Sequence, residues 1–195
     1  LSLRRQIARR WSRRGLAIAP DDVVVTTGCT EALMLSLSSI CARGDVVAVE
    51  SPTYFNHIQV LEHLGLRIIE LPIDPLHGLE PEVLEAACRR HKISAYLSVP
   101  VLHNPTGVTL TAERQAALLN ICNTHDIVLI EDLVYLDLHP SPQRSSIFKD
   151  ADRDGRVISC GSISKTLAPG WRVGWALPGR WRDTLRNAKV ISSLG

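Results

Sequence analysis

The chain has no CxxC pair, no glycine-rich nucleotide loop and no long apolar run, and each absence removes a class of protein. The five cysteines, at 29, 41, 88, 122 and 160, are an odd number set inside apolar segments, so neither a disulfide scaffold nor a zinc site is indicated. They read as core thiols, and no metal is expected. No GxGxxG follows the first strand and no GxxxxGK[ST] occurs anywhere, which removes the main support for dinucleotide and P-loop readings. No apolar stretch approaches the roughly 20 residues of a membrane helix, and the opening LSLRRQIARR lacks the apolar centre of a signal peptide. The expectation is a soluble, cytoplasmic protein with no membrane partner. Net charge is only +2, so no global electrostatic push towards nucleic acid exists. Internal repeats and low-complexity tracts are missing too. Lysine is scarce, with only Lys92, Lys149, Lys165 and Lys189.

With 45% hydrophobic residues over 195 positions, the chain can bury one sizeable core, and residues 1–195 are expected to form one domain. Strand-like runs occur at 23–27, 46–49, 67–71, 95–99, 127–132, 157–161 and 172–177, and segments of helical spacing at 31–41, 55–64, 81–91, 112–124 and 181–194 lie between or after them. Leu33, Leu37, Ile40 and Cys41 mark one helix face, and Ala112, Ala116 and Leu119 another. Pro81 suits a first helical position and Thr111 an N-cap. Near-continuous apolar strands are the mark of a parallel sheet covered on both faces, so the expected fold is α/β, a three-layer sandwich around a mostly parallel sheet. The run RVGWAL follows its predecessor after about ten residues, too few for a crossover helix, and is expected to be the one antiparallel strand. Arg4, Arg5, Arg9, Arg10, Arg13 and Arg14 crowd the start, where Leu3, Ile7 and Trp11 recur every fourth residue. This predicts an amphipathic helix with a buried stripe and a solvated basic face. Both chain ends read as helical, so a fragment of a longer protein is expected.

Candidate chemistry gathers at predicted strand carboxyl ends, where ligands bind in open α/β sheets. In TTGCTEAL (26–33), Gly28 precedes a helix whose unpaired N–H groups, at Cys29 and Thr30, suit an anion. In SISKTLAPGWRVGW (162–175), a helical turn sets Ser162 and Lys165 on one side, and Arg172 returns along the next strand. A hydroxyl, an amine and a guanidinium then converge: arginine holds phosphate bidentately, and lysine forms a Schiff base with an aldehyde. A nucleophilic lysine needs desolvation or a neighbouring cation, which an apolar pocket and Arg172 would supply; the alternative is a plain exposed loop residue. Lys92, Lys149 and Lys189 read as surface residues. Strand IVLIED ends in Glu131 and Asp132, which alternation sends to opposite faces, so only one serves the pocket, and a buried carboxylate there needs a cationic partner. Tyr135 follows three positions later. Asn104 sits in the turn HNPTG, and Tyr54 follows a third strand in SPTYF.

The ordered set TTGCTEAL, SPTYF, HNPTG, EDLVY and SISKTLAPGWRVG resembles the large domain of fold type I, pyridoxal-phosphate-dependent class I and II aminotransferases over essentially the whole chain. The resemblance implies pyridoxal 5'-phosphate as cofactor, Lys165 as its Schiff-base amine and later proton shuttle, and Asp132 as partner of the pyridinium nitrogen. It implies that Asn104 and Tyr135 bond the ring's phenolate oxygen and that Tyr54 stacks on the ring. The groups around Cys29 and Thr30, with Ser162 and Arg172, would hold the phosphate; Cys29 stands where a smaller residue is usual. The opening segment and SKTLAPGWRVGW look most like the aminotransferase-like domain of MocR-type regulators of the GntR family. That resemblance implies a sensing domain for an amino acid or amine, a homodimer, and DNA contact through a winged helix outside this chain. The family's small C-terminal domain, with its arginine for the substrate carboxylate, is also outside it. The alternative is the large domain of a stand-alone amino acid aminotransferase.

Overall fold

Apolar runs separated by helical spacing close into one sheet covered on both faces. The computed structural model describes residues 2–141 and 145–193. Along the chain run α1 (Ser2–Ser12), β1 (Val24–Thr26), α2 (Cys29–Ile40), β2 (Val46–Ser51), α3 (Phe55–His63), β3 (Arg67–Pro72) and α4 (Pro81–Arg90). There follow β4 (Ile93–Ser98), α5 (Ala112–Thr124), β5 (Val128–Asp132), α6 (Phe148–Ala151), β6 (Val157–Ser162), β7 (Gly174–Leu177) and α7 (Arg182–Ser193). The sheet order is β1-β7-β6-β5-β4-β2-β3. The pairs from β6 through to β3 are parallel, while β7 runs antiparallel to both β1 and β6. The expected antiparallel strand is therefore present, and the fold is the expected three-layer α/β sandwich.

Alternation along the strands divides the core in two. Val47, Val49, Leu97, Ile130, Ile158 and Ala176 point to one face, where Leu33 and Leu37 of α2, Leu61 of α3 and Leu185 of α7 cover them. Ala48, Tyr96, Leu129 and Val157 point to the other, under Leu84 of α4, Leu118 of α5 and Phe148 of α6. A third cluster seats Ile7, Ala8 and Trp11 of α1 against Leu133, Leu136 and Trp175. Pro81 opens α4 at its first turn, and the Thr111 hydroxyl accepts from the Arg114 N–H at 3.3 Å, so both predicted helix starts are seen.

Several expectations need correction. Leu3 is 40% exposed, so the buried stripe of α1 is Ile7, Ala8 and Trp11. The basic face is only partly solvated: Arg10 pairs with Asp137 and lies over the Trp175 ring, and Arg14 bonds the Ser145 carbonyl and Asp150. On α5, Ala112 and Ala116 are exposed, and the inward face is Gln115, Leu118, Leu119 and Cys122. Gln115 turns inward because its amide nitrogen donates to the carbonyls of Leu110 and Ser146, at 3.1 and 3.0 Å. The polar stretch around Lys149 contains α6. Lys149 is nearly buried there, donating to Asp152 and to the Val157 carbonyl, and Lys189 is buried against Glu31. Only Lys92 is the surface residue expected of these three. Cys29, Cys122 and Cys160 are buried, whereas Cys41 and Cys88 are half-buried.

Candidate functional site

The carboxyl ends of the parallel strands point the same way, so the loops that follow them meet along one edge. All nine residues singled out from the sequence, Cys29, Thr30, Tyr54, Asn104, Asp132, Tyr135, Ser162, Lys165 and Arg172, line a single pocket there. They come from the segments after β1, β2, β4, β5 and β6 and before β7, elements far apart in the chain.

Asp132 closes β5 and is 5% exposed. Its Oδ1 accepts from the Cys29 thiol at 3.2 Å and from the Val134 N–H at 3.0 Å, and its Oδ2 lies 3.1 Å from His57 Nε2. His57, 1% exposed and one turn into α3, is thus the partner that a buried carboxylate requires. Sequence reasoning passed over it, although a histidine three residues beyond Tyr54 was a legible signal. Its other nitrogen, Nδ1, meets the Thr53 hydroxyl at 3.2 Å. Burial and the neighbouring Asp132 charge push the Cys29 thiol well above its usual range, so it stays protonated and donates. Glu131 faces the opposite layer, as alternation requires. It accepts from the Ser159 hydroxyl at 2.6 Å and from the N–H groups of Phe148 and Lys149.

Beside the α2 N-terminus the pocket wall is built from glycines and one arginine in the left-handed region. Gly28 caps α2 at φ +110°, and a Cβ there would come within 2.4 Å of Arg172 Nη2. A Cβ on Gly174 would lie 2.4 Å from the Gly28 carbonyl carbon. The space is reserved for the guanidinium and for the free first-turn N–H groups of α2. Arg172 adopts the left-handed conformation at φ +48°, with Nη2 donating to the Thr27 carbonyl at 2.8 Å and Nη1 to Ser164 Oγ at 3.3 Å. Ser162 is buried and its hydroxyl meets the Val173 carbonyl at 2.9 Å and Ser164 Oγ at 2.8 Å. Ser164, which the sequence reading did not select, is therefore the hydroxyl presented to Arg172.

On the far side, Asn104 Nδ2 donates to the Tyr135 hydroxyl at 3.2 Å, joining the turn after β4 to the turn after β5. Tyr54 stands edge-on to His57, with centroids 5.6 Å apart. Lys165 differs from expectation. It lines the pocket but is exposed at its mouth, and it makes no hydrogen bond or ion pair with another described residue. The expected neighbouring cation, Arg172, lines the same pocket; among the described residues no apolar enclosure surrounds the Lys165 amine. Among the described residues no cluster of histidine, cysteine and carboxylate side chains is placed to hold a metal.

The sequence model described as aminotransferase class I and II matches residues 1–192. The chain belongs to the class I and II aminotransferases. An uncharacterized HTH-type transcriptional regulator, YjiR of Escherichia coli strain K12, is 42% identical over 98% of this chain and 41% of its own length. Aromatic-amino-acid aminotransferase 1 of Thermococcus litoralis is 32% identical over 85% of this chain and 41% of its own. Among solved structures, LysN, an α-aminoadipate aminotransferase from Thermus thermophilus complexed with N-(5'-phosphopyridoxyl)-L-leucine, superposes with TM-score 0.89 at 28% identity, over 98% of this chain and 49% of that one. The chain thus spans about two fifths of the curated relatives it matches. This aminotransferase family is pyridoxal-phosphate-dependent, and its fold accounts for the sheet order and for the loops that meet at one edge.

Proposed function

We propose that this chain is the pyridoxal-phosphate-binding, aminotransferase-like sensing domain of a MocR-type, GntR-family transcriptional regulator. The observation that carries the cofactor assignment is the meeting, in one pocket, of an anion cradle, a buried carboxylate and a lone amine. The residues present fit the group: the glycine-walled space beside Arg172 suits a phosphate, and Asp132 suits a ring cation. The likeness to HTH-type regulators such as YjiR supports the regulatory reading. The Thermococcus litoralis relative favours a second reading, the large domain of a stand-alone amino acid aminotransferase.

In this assignment Arg172, Ser162, Ser164 and the N–H groups of Cys29 and Thr30 hold the phosphate. Asp132, kept in place by His57, Cys29 and Val134, would pair with the ring nitrogen, Asn104 and Tyr135 would bond the ring oxygen, and Tyr54 would cover a ring face. Lys165 would bind the aldehyde and would move the proton at the Cα of an amino acid or amine ligand. When bound, the cofactor supplies an electron sink for the charge left at that carbon. DNA contact belongs to a winged helix outside residues 1–195, and the whole protein works as a cytoplasmic homodimer.

Adding pyridoxal phosphate should produce a visible absorption band that borohydride abolishes while fixing the cofactor's mass to a peptide containing Lys165, read by mass spectrometry. Recovery of the adduct on Lys92, Lys149 or Lys189 would reject the assignment. A full-length protein that binds its own promoter, with an affinity altered by the cofactor or an amino acid, separates the regulator from the enzyme.

A further inference from the structure

One buried polar cluster lies just beneath the pocket and plays no part in the roles above. Glu50, the penultimate residue of β2, is 2% exposed, yet its carboxylate is fully engaged. Oε1 accepts from the Tyr96 hydroxyl at 2.7 Å and the Ser98 hydroxyl at 2.6 Å, both from β4. Oε2 accepts from the Val99 N–H at 3.1 Å and lies 3.2 Å from His103 Nε2. That last contact falls outside hydrogen-bond angles, and no other polar atom of the described residues satisfies this buried nitrogen. Tyr96, Ser98 and His103 are themselves 0, 0 and 4% exposed.

The cluster ends at the turn that delivers Asn104. His103 anchors that turn through both backbone groups: its N–H donates to the Val108 carbonyl at 2.7 Å, and its carbonyl accepts from Gly107 at 2.6 Å. Its Nδ1 meets the Thr106 hydroxyl at 3.0 Å. Asn104 is the next residue, and among the described residues its side chain has one hydrogen bond, to Tyr135. A single bond to a half-buried phenol leaves the amide free to swing, so its aim depends on the backbone that His103 pins. Burial alone would raise the Glu50 carboxyl, but His103, Ser98 and Tyr96 outweigh it and hold it below its usual value, so a full charge sits under the turn. A buried charge is costly, and packed apolar residues of like volume serve stability as well or better. What such a charge does supply is one fixed arrangement of its donors.

We propose that Glu50 and His103 are positioning residues, which act through the turn to hold the Asn104 amide at the ring-oxygen side of the pocket. The inference rests on the reading of the pocket given above. Three single variants, Glu50→Gln, His103→Gln and Asn104→Ala, and the double variant of Glu50 and Asn104 are loaded with pyridoxal phosphate. The readouts are the pH midpoint of the bound cofactor's visible band and, by circular dichroism, the fold. Asn104→Ala should raise the midpoint by about one unit, the size of one hydrogen bond to a charged oxygen. Glu50→Gln and His103→Gln should move it the same way, by about half a unit or more, and Glu50→Gln should add nothing once Asn104 is gone.

Unmoved midpoints in the Glu50 and His103 variants beside a shifted Asn104→Ala would overturn the proposal, as would additive shifts in the double variant or an Asn104→Ala that behaves as the parent. If Glu50→Gln fails to fold, His103→Gln decides alone. A parent protein that takes up no cofactor sinks the reading of the pocket and this inference together. A parent and Asn104→Ala that behave as expected beside silent Glu50 and His103 variants sink only this one.

Discussion

Two adjacent carboxylates at the end of β5 show how a neighbourhood sets chemistry. Asp132 faces the pocket among three donors, one of them His57, whereas Glu131 faces the opposite layer and accepts from the Ser159 hydroxyl and the N–H groups of Phe148 and Lys149. Burial pushes the Glu131 carboxyl up to about 7, against the pull of Ser159 and of the Phe148 N–H. A carboxyl whose value is raised on folding stabilises the fold fully below its unfolded value of 4.5, and that contribution is lost as pH climbs towards 7. The loss should be on the order of 3 kcal/mol. Urea unfolding at pH 5, 6, 7 and 8 should show this decline in the parent protein and a flatter profile in Glu131→Gln. Parallel profiles would show that Glu131 titrates at its ordinary value.

Among elements, α1 has the weakest local claim to its place and the clearest tertiary one. It carries no acidic residue in its first turn, and six arginines within fourteen positions repel one another. Burial of Ile7, Ala8 and Trp11 against Trp175 and Leu136 holds it, aided by the ties of Arg10 to Asp137 and of Arg14 to Asp150. Trp11→Ala should therefore cost about 3 kcal/mol or more of unfolding free energy. A loss under about 1 kcal/mol would mean that α1 docks by its arginines instead. At the same edge of the sheet, α7 is held to α2 by Lys189, whose ammonium bonds both oxygens of Glu31 at 2.9 and 3.1 Å. Glu31 in turn accepts from the Thr27 N–H at 2.6 Å, which fixes the strand end that supplies Arg172 with its carbonyl partner.

At the scale of the molecule, the pocket opens beside large apolar side chains that the chain leaves bare. Phe55, Leu167 and Trp171 are 64, 69 and 65% exposed, and their segments border Tyr54, Lys165 and Arg172. Surfaces of this kind mark contact with another chain or domain. The homodimer proposed for the whole protein would place a second copy over this mouth. Sedimentation at micromolar concentrations should give twice the monomer mass, with Trp171→Glu shifting the balance to monomer; a parent protein that sediments as a monomer throughout would exclude it.

The sheet, its one reversed strand and the positions of the pocket residues were legible in the linear chain. Apolar run length, helical spacing, the short link before RVGWAL and the placement of polar residues at strand carboxyl ends are local properties, and they survive folding. Tertiary structure alone decided the partners. Nothing in the spacing of His57 and Cys29 says that both meet Asp132, because the strands that bring them together are ordered by the sheet and not by the chain; the Val134 N–H, two residues on, is a local partner. The same holds for Glu50 and His103, which lie far apart in the chain, and for Lys149 and Lys189, whose burial depends on acidic partners on other elements or across a turn. Solvation reversed one expectation for the same reason: the Lys165 amine was expected inside an apolar enclosure, but enclosure is a property of what surrounds a loop, and there the chain leaves it open.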